Sequence, residues 1–379
     1  MARRRLRLLT TLTLVGLLLA VPGFSYARAM VYPGNASWQE RSVEWVREHG
    51  GNGLVNRIEN WYYSRNAPKG SAPSPAALPS VPSTTGSALL AAPARPSSAA
   101  AVAAPVRLPP VPHATRLPGE GTWVAGRVGT DGRPVLYRAW FRPDLTHPSV
   151  VAGVGWIRRG TTVAHLVAGT KQPGGTGWPG GARVAPGDVA RLVATFNSGF
   201  KLNDFTGGFW EAGRTGKALV KGQASLVIYR DGSAAVGDWG RDVSMTPDVV
   251  AVRQNLQLVV DRGTPVDGLN VNAFGRWGTS RNQHQYTWRS GVGTDRFGDL
   301  VYVSGDQMNL PMLAQAMSEA GVVRGMELDM HPGMTIFSSW APLAAGRRPM
   351  PTKLLPNMRG DAARYIQPDQ RDFVYLTLR

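Results

Sequence analysis

The sequence contains no cysteine in 379 residues, so no disulfide framework staples the fold and no thiolate does chemistry or holds a metal. Stability must come from an ordinary core. Phosphate-cradle motifs are missing as well, because the run Gly174-Gly175-Thr176-Gly177 has neither a Walker lysine nor dinucleotide spacing and reads as a loop. Acidic residues are few, and the formal charge of +17 raises the question of nucleic acid. Divided along the chain it loses that meaning. Residues 1–119 carry 13 Lys and Arg against 4 Asp and Glu, a net +9, and residues 120–379 carry 29 against 21, a net +8. Neither part has a basic block beyond the first residues, and no nucleic-acid motif is evident, so the reading is a basic extracytoplasmic protein near anionic surfaces.

What is present begins with Met1-Ala2-Arg3-Arg4-Arg5-Leu6-Arg7, an apolar run from Leu8 to Val21, and small residues at Ser25 and Ala27. This is the layout of an export signal, and its length also approaches the 17 to 25 or so residues of a membrane span. Residues 1–29 are therefore read as signal peptide or membrane anchor, which places the protein outside the cytoplasm, secreted or tethered. In residues 30–65 short helices are expected: Ser37 to Glu40 has the form of a capping box. Leu54, Ile58, Trp61 and Tyr62 lie on one side of a second helix, for a membrane surface or for packing on the domain. Residues 66–118 turn to Pro, Ala and Ser, too poor in apolar surface to offset ordering entropy, and read as a disordered linker. Residues 119–379 are left as the domain.

That domain is expected to be α+β, a glycine-rich and mainly antiparallel β structure with one β-α-β crossover. Asp131-Gly132, Asp231-Gly232 and Asp295 to Gly298 mark hairpins. Asn309 to Gly321 has an N-cap candidate, a first-turn proline and a closing glycine, hence a helix. It joins strands at Leu300–Asp306 and Gly325–Asp329, which are expected to run parallel, most simply as neighbours about 4.8 Å apart. Alternation predicts Met326, Leu328, Val301 and Val303 beneath the helix, with Tyr302, Ser304, Asp306, Glu327, Asp329 and His331 on the opposite face. Asp306 and Asp329 then sit at strand ends, where ligands gather in open α/β sheets.

Val193 to Lys201 reads as a strand entering a polar turn, where Gly199 permits close approach of a ligand and Asn197 offers both donor and acceptor to sugar hydroxyls. The order Asn197-Ser198-Gly199-Phe200, Arg289-Ser290-Gly291-Val292-Gly293, Leu300 to Asp306, the helix ending at Gly321, and Glu327-Leu328-Asp329 resembles the phosphodiester glycosidase family over roughly residues 120 to 379. By position the family's asparagine-glycine turn falls on Asn197 and Gly199, its strand arginine on Arg289, and its aspartates on Asp306 and Asp329. The chain departs where Met330-His331-Pro332-Gly333-Met334 replaces a glycine-rich run, and Glu327 stands where asparagine is common.

The resemblance implies hydrolysis of a sugar phosphodiester. Under it Asp329, Asp306 and Glu327 are the candidate catalytic carboxyls, raising one another's proton affinity by crowding. Arg289 is the candidate phosphate fork, with Asn197, Gly199, Lys201 and His331 binding substrate. Two alternatives stay open. Asp306, Glu327 and Asp329 could hold a divalent cation through oxygen, although no cofactor is required. The domain could also be a non-catalytic carbohydrate-binding module. Gly207 to Trp210, Trp239, Trp277 and Trp288 supply aromatic surface, most of it expected in the core.

Overall fold

The computed structural model describes residues 20–32, 34, 36–68, 70–79, 105–109, 115–144, 146–278, 283–342 and 346–379. The apolar run up to residue 19 and the middle of the Pro/Ala/Ser segment lie outside the described residues. Two compact units divide after Trp61.

The first unit is helical. Residues 20–30 are helical, followed by α1 (Trp38–Val46) and α2 (Asn52–Arg65), whose last four residues, Tyr62–Arg65, fall in the second unit. The capping box at α1 forms as the sequence predicts, with Glu40 N donating to Ser37 Oγ and Ser37 N to the Glu40 carboxylate. Neither α1 nor α2 buries a residue, and Leu54, Ile58, Trp61 and Tyr62 are exposed. Among the described residues no helix is long and apolar enough to cross a membrane.

The second unit carries the strands β1 (Val124–Ala125), β2 (Leu136–Phe141), β3 (Ala152–Ile157), β4 (Thr162–Val167), β5 (Leu192–Asn197), β6 (Phe209–Glu211), β7 (Arg214–Lys217), β8 (Ala224–Tyr229) and β9 (Ala234–Asp238). They are followed by β10 (Val249–Gln254), β11 (Leu258–Asp261), β12 (Thr264–Pro265), β13 (Thr287–Asp295), β14 (Leu300–Met308), β15 (Val322–Glu327), β16 (Phe337–Pro342), β17 (Pro349–Lys353) and β18 (Phe373–Leu378). One helix, α3 (Leu310–Glu319), lies between β14 and β15. An eight-stranded sheet runs β1-β2-β3-β14-β13-β15-β11-β12, and two five-stranded sheets run β7-β6-β10-β8-β9 and β17-β16-β5-β18-β4. The fold is mainly antiparallel α+β, as the turn signals imply. Asp231-Gly232 closes the β8–β9 hairpin and Asp295 to Gly298 closes β13–β14. Residues 105–109 belong to the domain's packing: Leu108 is fully buried in the main core, and Trp123 Nε1 donates to the Val106 carbonyl at 2.8 Å.

Two details of the crossover differ from expectation. β14 and β15 are parallel to each other but not neighbours, because β13 lies between them and pairs antiparallel with both. The β13–β14 hairpin takes the place beside β14 first, and the helix must carry the chain across it. On β15 the faces are also exchanged, while Val301 and Val303 lie beneath the helix and Tyr302 and Ser304 lie opposite, as expected. Val292 stands opposite both Tyr302 and Met326, and Gly291 opposite both Val303 and Glu327; directly opposed residues share a face. Glu327 therefore lies with Arg289, Gly291, Val301 and Val303 on the helix side. Met326 lies with Tyr302 on the other.

The reason is the glycine floor under α3. Met317 lies so close that a Cβ on Gly291 would come within 2.5 Å of its Sδ, and one on Gly293 would run into Val322 and the Arg324 carbonyl. A helix seated on glycines needs no apolar pair from β15. On the opposite face Tyr302 packs against Phe196 of β5 and Phe337 of β16, with ring centroids 5.3 and 4.9 Å away, while a Cβ on Gly155 would meet the Phe337 ring. The main core thus joins the large sheet to the β17–β4 sheet. Gly293→Ala should lower stability by about 1–3 kcal/mol, the usual cost of overpacking. Urea unfolding of the full chain checks this, and an unchanged midpoint would mean the floor has room.

Candidate functional site

The ends of β5, β10 and β15 and the entry to β18 meet at one rim of the second unit. Asn197, the last residue of β5, is buried, and its side chain ties that rim together. Its Oδ1 accepts from Tyr302 Oη at 2.9 Å and from Ile336 N at 3.1 Å, and its Nδ2 donates to Ser290 Oγ at 3.0 Å. Ser290 Oγ in turn donates to the Asp329 carbonyl at 2.8 Å, and Asp329 N donates to the Ser198 carbonyl at 2.9 Å. The turns after β5 and β15 are laced to each other.

Gly199 follows. A Cβ there would stand 2.9 Å from the Asn255 carboxamide carbon, so glycine is what allows Asn255 in. Asn255 accepts from Phe200 N at 3.1 Å and donates to the Glu327 carbonyl at 2.7 Å. Arg253, at the end of β10, is fully buried and donates to Asp372 through Nε at 2.7 Å and Nη2 at 3.2 Å, with Nη2 also reaching the Phe200 carbonyl at 2.5 Å. The rim is therefore built by two residues of β10 and its exit as much as by those of β5 and β15.

Asp329 is the carboxylate presented here. Arg371 Nη2 donates to its Oδ2 at 2.6 Å and Met330 N to its Oδ1 at 3.0 Å. Arg371 also reaches the Gly199 carbonyl at 3.3 Å. Burial raises the proton affinity of Asp329, Arg371, the Met330 amide and Lys201 work against it, and Asp372 adds to it. Lys201 is half-buried, so the carboxylate has two cations beside it.

Glu327 and Arg289 form a second, closed unit. Arg289 is 0% exposed. Its Nη1 donates to Glu327 Oε1 at 2.5 Å, Nε to the Met308 carbonyl at 3.2 Å, and Nη2 to Gln283 Oε1 at 3.2 Å and the Gln285 carbonyl at 3.4 Å. Its fork is thus committed to the protein, holding the β14–α3 junction. Burial pushes the Glu327 carboxyl up against the opposing pull of Arg289. Glu327 Oε2 is buried without a hydrogen-bond partner.

Asp306 has a different environment. Its Oδ1 accepts from Gln307 N at 2.8 Å, burial raises its proton affinity, and Arg359 lowers it. His331 adopts φ of 80°, its ring stacks on Tyr63 at 5.2 Å, and its Nδ1 lies 3.3 Å from Thr287 Oγ1. Asn197, Gly199, Lys201, Glu327 and Asp329 are thus brought to one rim, with Arg289 behind Glu327, His331 in the turn beyond and Asp306 beside Arg359. Asp329 acts on Glu327 but neither acts on Asp306, and among the described residues no group of three or more His, Cys, Asp or Glu could hold a metal. Trp277 and Trp288 are core residues, while Trp210 and Trp239 pack half-buried on a small cluster in the β7–β9 sheet.

Sequence reading passed over Arg253, Asn255, Arg371 and Asp372. A signal was available: Arg253-Gln254-Asn255 ends an apolar strand with three polar residues, and Arg371-Asp372 opens another.

No family model matches the chain, and no curated protein does. Among solved structures it is similar to the catalytic domain of zebrafish N-acetylglucosamine-1-phosphodiester alpha-N-acetylglucosaminidase, described as auto-inhibited by pro-peptide. That match has 17% identity over 67% of this chain and 86% of that one, with a TM-score of 0.41. A hypothetical protein from Synechocystis matches at 11% identity over 64% of this chain and 62% of that one, with a TM-score of 0.38. The likeness is distant and carries nothing about activity.

Glu327→Ala would leave Arg289 charged and unpaired in the interior. It should cost about 3–5 kcal/mol in urea unfolding of the full chain, whereas a loss below about 1 kcal/mol would show that solvent reaches the guanidinium.

Proposed function

We propose that the protein is a hydrolase of phosphate-linked sugars, acting at the rim where Asp329 meets Arg371 and Lys201. The observation that carries this reading is the pairing of a buried carboxylate of raised proton affinity with an arginine that is only partly buried. Arginine suits phosphate because its planar fork matches two oxygens at once. Arg371 holds the Asp329 carboxylate at 2.6 Å. An incoming phosphodiester anion competes for that guanidinium and leaves Asp329 beside the bond to be broken.

In the reaction proposed, water adds across the bond between the glycosyl carbon and the phosphate oxygen. A carbon–oxygen bond to water forms and the one to phosphate breaks. Water's proton passes to Asp329, and the phosphate monoester departs as an anion held by Arg371 and Lys201. Asn197 and Gly199 act by shaping the turn, and Arg289 acts by fixing Glu327 and the β14–α3 junction. Export and an extracytoplasmic site of action follow from the N-terminal sequence pattern.

The test is hydrolysis by the full-length protein of the α- and β-methyl phosphodiesters of glucose 1-phosphate and N-acetylglucosamine 1-phosphate. Asp329→Asn should reduce kcat by about 10²- to 10⁴-fold, the range for losing a positioned acid or base. Arg371→Met should act mainly on KM. Absence of sugar release by the wild type, with retained binding of the same diesters, would instead assign a carbohydrate-binding module.

A further inference from the structure

The helices of the first unit are turned inside out. Among the described residues fifteen large apolar side chains are exposed, and nine of them fall between Val21 and Tyr62. What holds the unit together is polar or aromatic instead. Trp45 Nε1 donates to Ser25 Oγ at 3.0 Å, and Tyr26 Oη and Ser42 Oγ are hydrogen-bonded at 2.7 Å. The Trp45 ring meets Tyr26 edge-on at 5.4 Å and stacks on His49 at 4.3 Å. A helix of a water-soluble unit ordinarily turns its apolar stripe inward.

The inversion is sharpest in α2. Arg47 donates to Asn52 Oδ1 at 2.8 Å, to Asn56 Oδ1 at 2.7 Å and to Glu59 Oε2 at 2.5 Å, and residues spaced three or four apart share one helix face. The polar face of α2 is therefore the one joined to the rest of the unit. Leu54, Ile58 and Trp61 repeat the same spacing two residues out of phase, hence on the opposite side, and are 60%, 55% and 57% exposed. Tyr62 extends the stripe, and Arg57 and Arg65 are exposed beside it. The single acidic residue of α2 is Glu59, on the face that Arg47 holds. The outward face is thus apolar and aromatic, flanked by positive charge and without a carboxylate.

That chemistry fits an anionic lipid surface. Apolar side chains enter the interface, indole and phenol rings sit at headgroup level, and guanidinium groups meet lipid phosphate. The chain upstream has the same character: Arg3, Arg4, Arg5 and Arg7 precede the apolar run from Leu8 to Val21, which leads directly into the helix of residues 20–30. With fourteen residues, α2 is about 21 Å long, too short to cross a bilayer and suited to lying along one.

We propose that α2 is an interfacial helix, seating Leu54, Ile58, Trp61 and Tyr62 in the surface of an anionic bilayer with Arg57 and Arg65 on lipid phosphates. The assignment does not depend on the reaction proposed at Asp329.

The lack of cysteine allows a face-resolved test, since one substitution introduces one thiol. Full-length protein carrying Ile58→Cys or Asn56→Cys is labelled with a nitroxide and mixed with vesicles of phosphatidylcholine, with and without phosphatidylglycerol. Electron paramagnetic resonance then reads the label's accessibility to dissolved oxygen and to a water-soluble nickel chelate. Ile58 is exposed, so labelling it leaves the helix intact. With phosphatidylglycerol present, the label at position 58 should be shielded from nickel and open to oxygen, while the label at position 56 behaves as it does without lipid. Adding Arg57→Gln and Arg65→Gln should lower the ratio of lipid-seated to aqueous label at position 58 about thirtyfold, from the attraction of each arginine to an anionic surface.

A label at position 58 as open to nickel with vesicles as without them would overturn the proposal. So would equal burial of positions 56 and 58, which marks insertion of the whole helix, or a ratio indifferent to the two arginines. Shielding of position 58 from both reagents without lipid, rising with protein concentration, would assign the stripe to a second copy of the chain instead.

Discussion

The Asn197 carboxamide is the constraint on which the rim depends. Both of its polar atoms are engaged, with Tyr302 and Ile336 on the oxygen and Ser290 on the nitrogen, and every partner is buried. A buried network so fully satisfied has one good arrangement, and each group left unpaired by a slip would cost about 1–3 kcal/mol. It joins β5 to β13 and β14 and passes through Ser290 to the Asp329 carbonyl. The Asp329 carboxylate is consequently aimed by its backbone. Asn197 acts by holding that backbone still, through hydrogen bonds made within the protein.

Two arginines stand within this frame, and burial decides between them as anion receptors. Arg289 has hydrogen bonds to a carboxylate, a carboxamide and two carbonyls, all in the interior. Removing it from Glu327 to meet a ligand would strand a buried charge, which costs several kcal/mol. Arg371 retains 14% side-chain exposure and holds Asp329 at 2.6 Å, so its guanidinium is reached without opening the interior, and Lys201 acts on the same carboxylate. The difference also accounts for Glu327. Its carboxylate offsets the Arg289 charge from the helix face of the large sheet, away from the face that carries Tyr302.

Much of the architecture was legible because it is written locally. Asp231-Gly232 and Asp295 to Gly298 carry their turns in two to four residues, and the N-cap, proline and closing glycine of α3 carry the helix. The face assignment holds for β14 and fails for β15, because it assumes that a helix needs large apolar residues from both strands beneath it. Gly291, Gly293 and Gly325 make that surface instead, and alternation alone does not show that a helix is seated on them. The candidate site was legible only where a single stretch carried it. Asn197, Gly199, Lys201, Glu327 and Asp329 meet, but Asn255, Arg371 and Arg253 come from segments whose contribution depends on long-range pairing of β10 and β18. Sequence alternation says which way a side chain points, not which distant strand end it will face.

The proton affinities show why position within a strand was a poor guide to chemistry. Crowding among Asp306, Glu327 and Asp329 would raise all three together, yet burial is the largest influence on each. Their opposing cations are separate: Arg359 for Asp306, Arg289 for Glu327, and Arg371 with Lys201 for Asp329. The expected crowding survives only between Asp329 and Glu327, where Asp329 adds to the rise of Glu327, while no other carboxylate acts on Asp306. Glu211 completes the contrast, since its nearby cations are committed elsewhere and an anion, Asp372, adds to the effect of burial. Burial raises the proton affinity of both carboxyls, with Arg371 and Lys201 opposing it at Asp329 and Arg214 opposing it at Glu211.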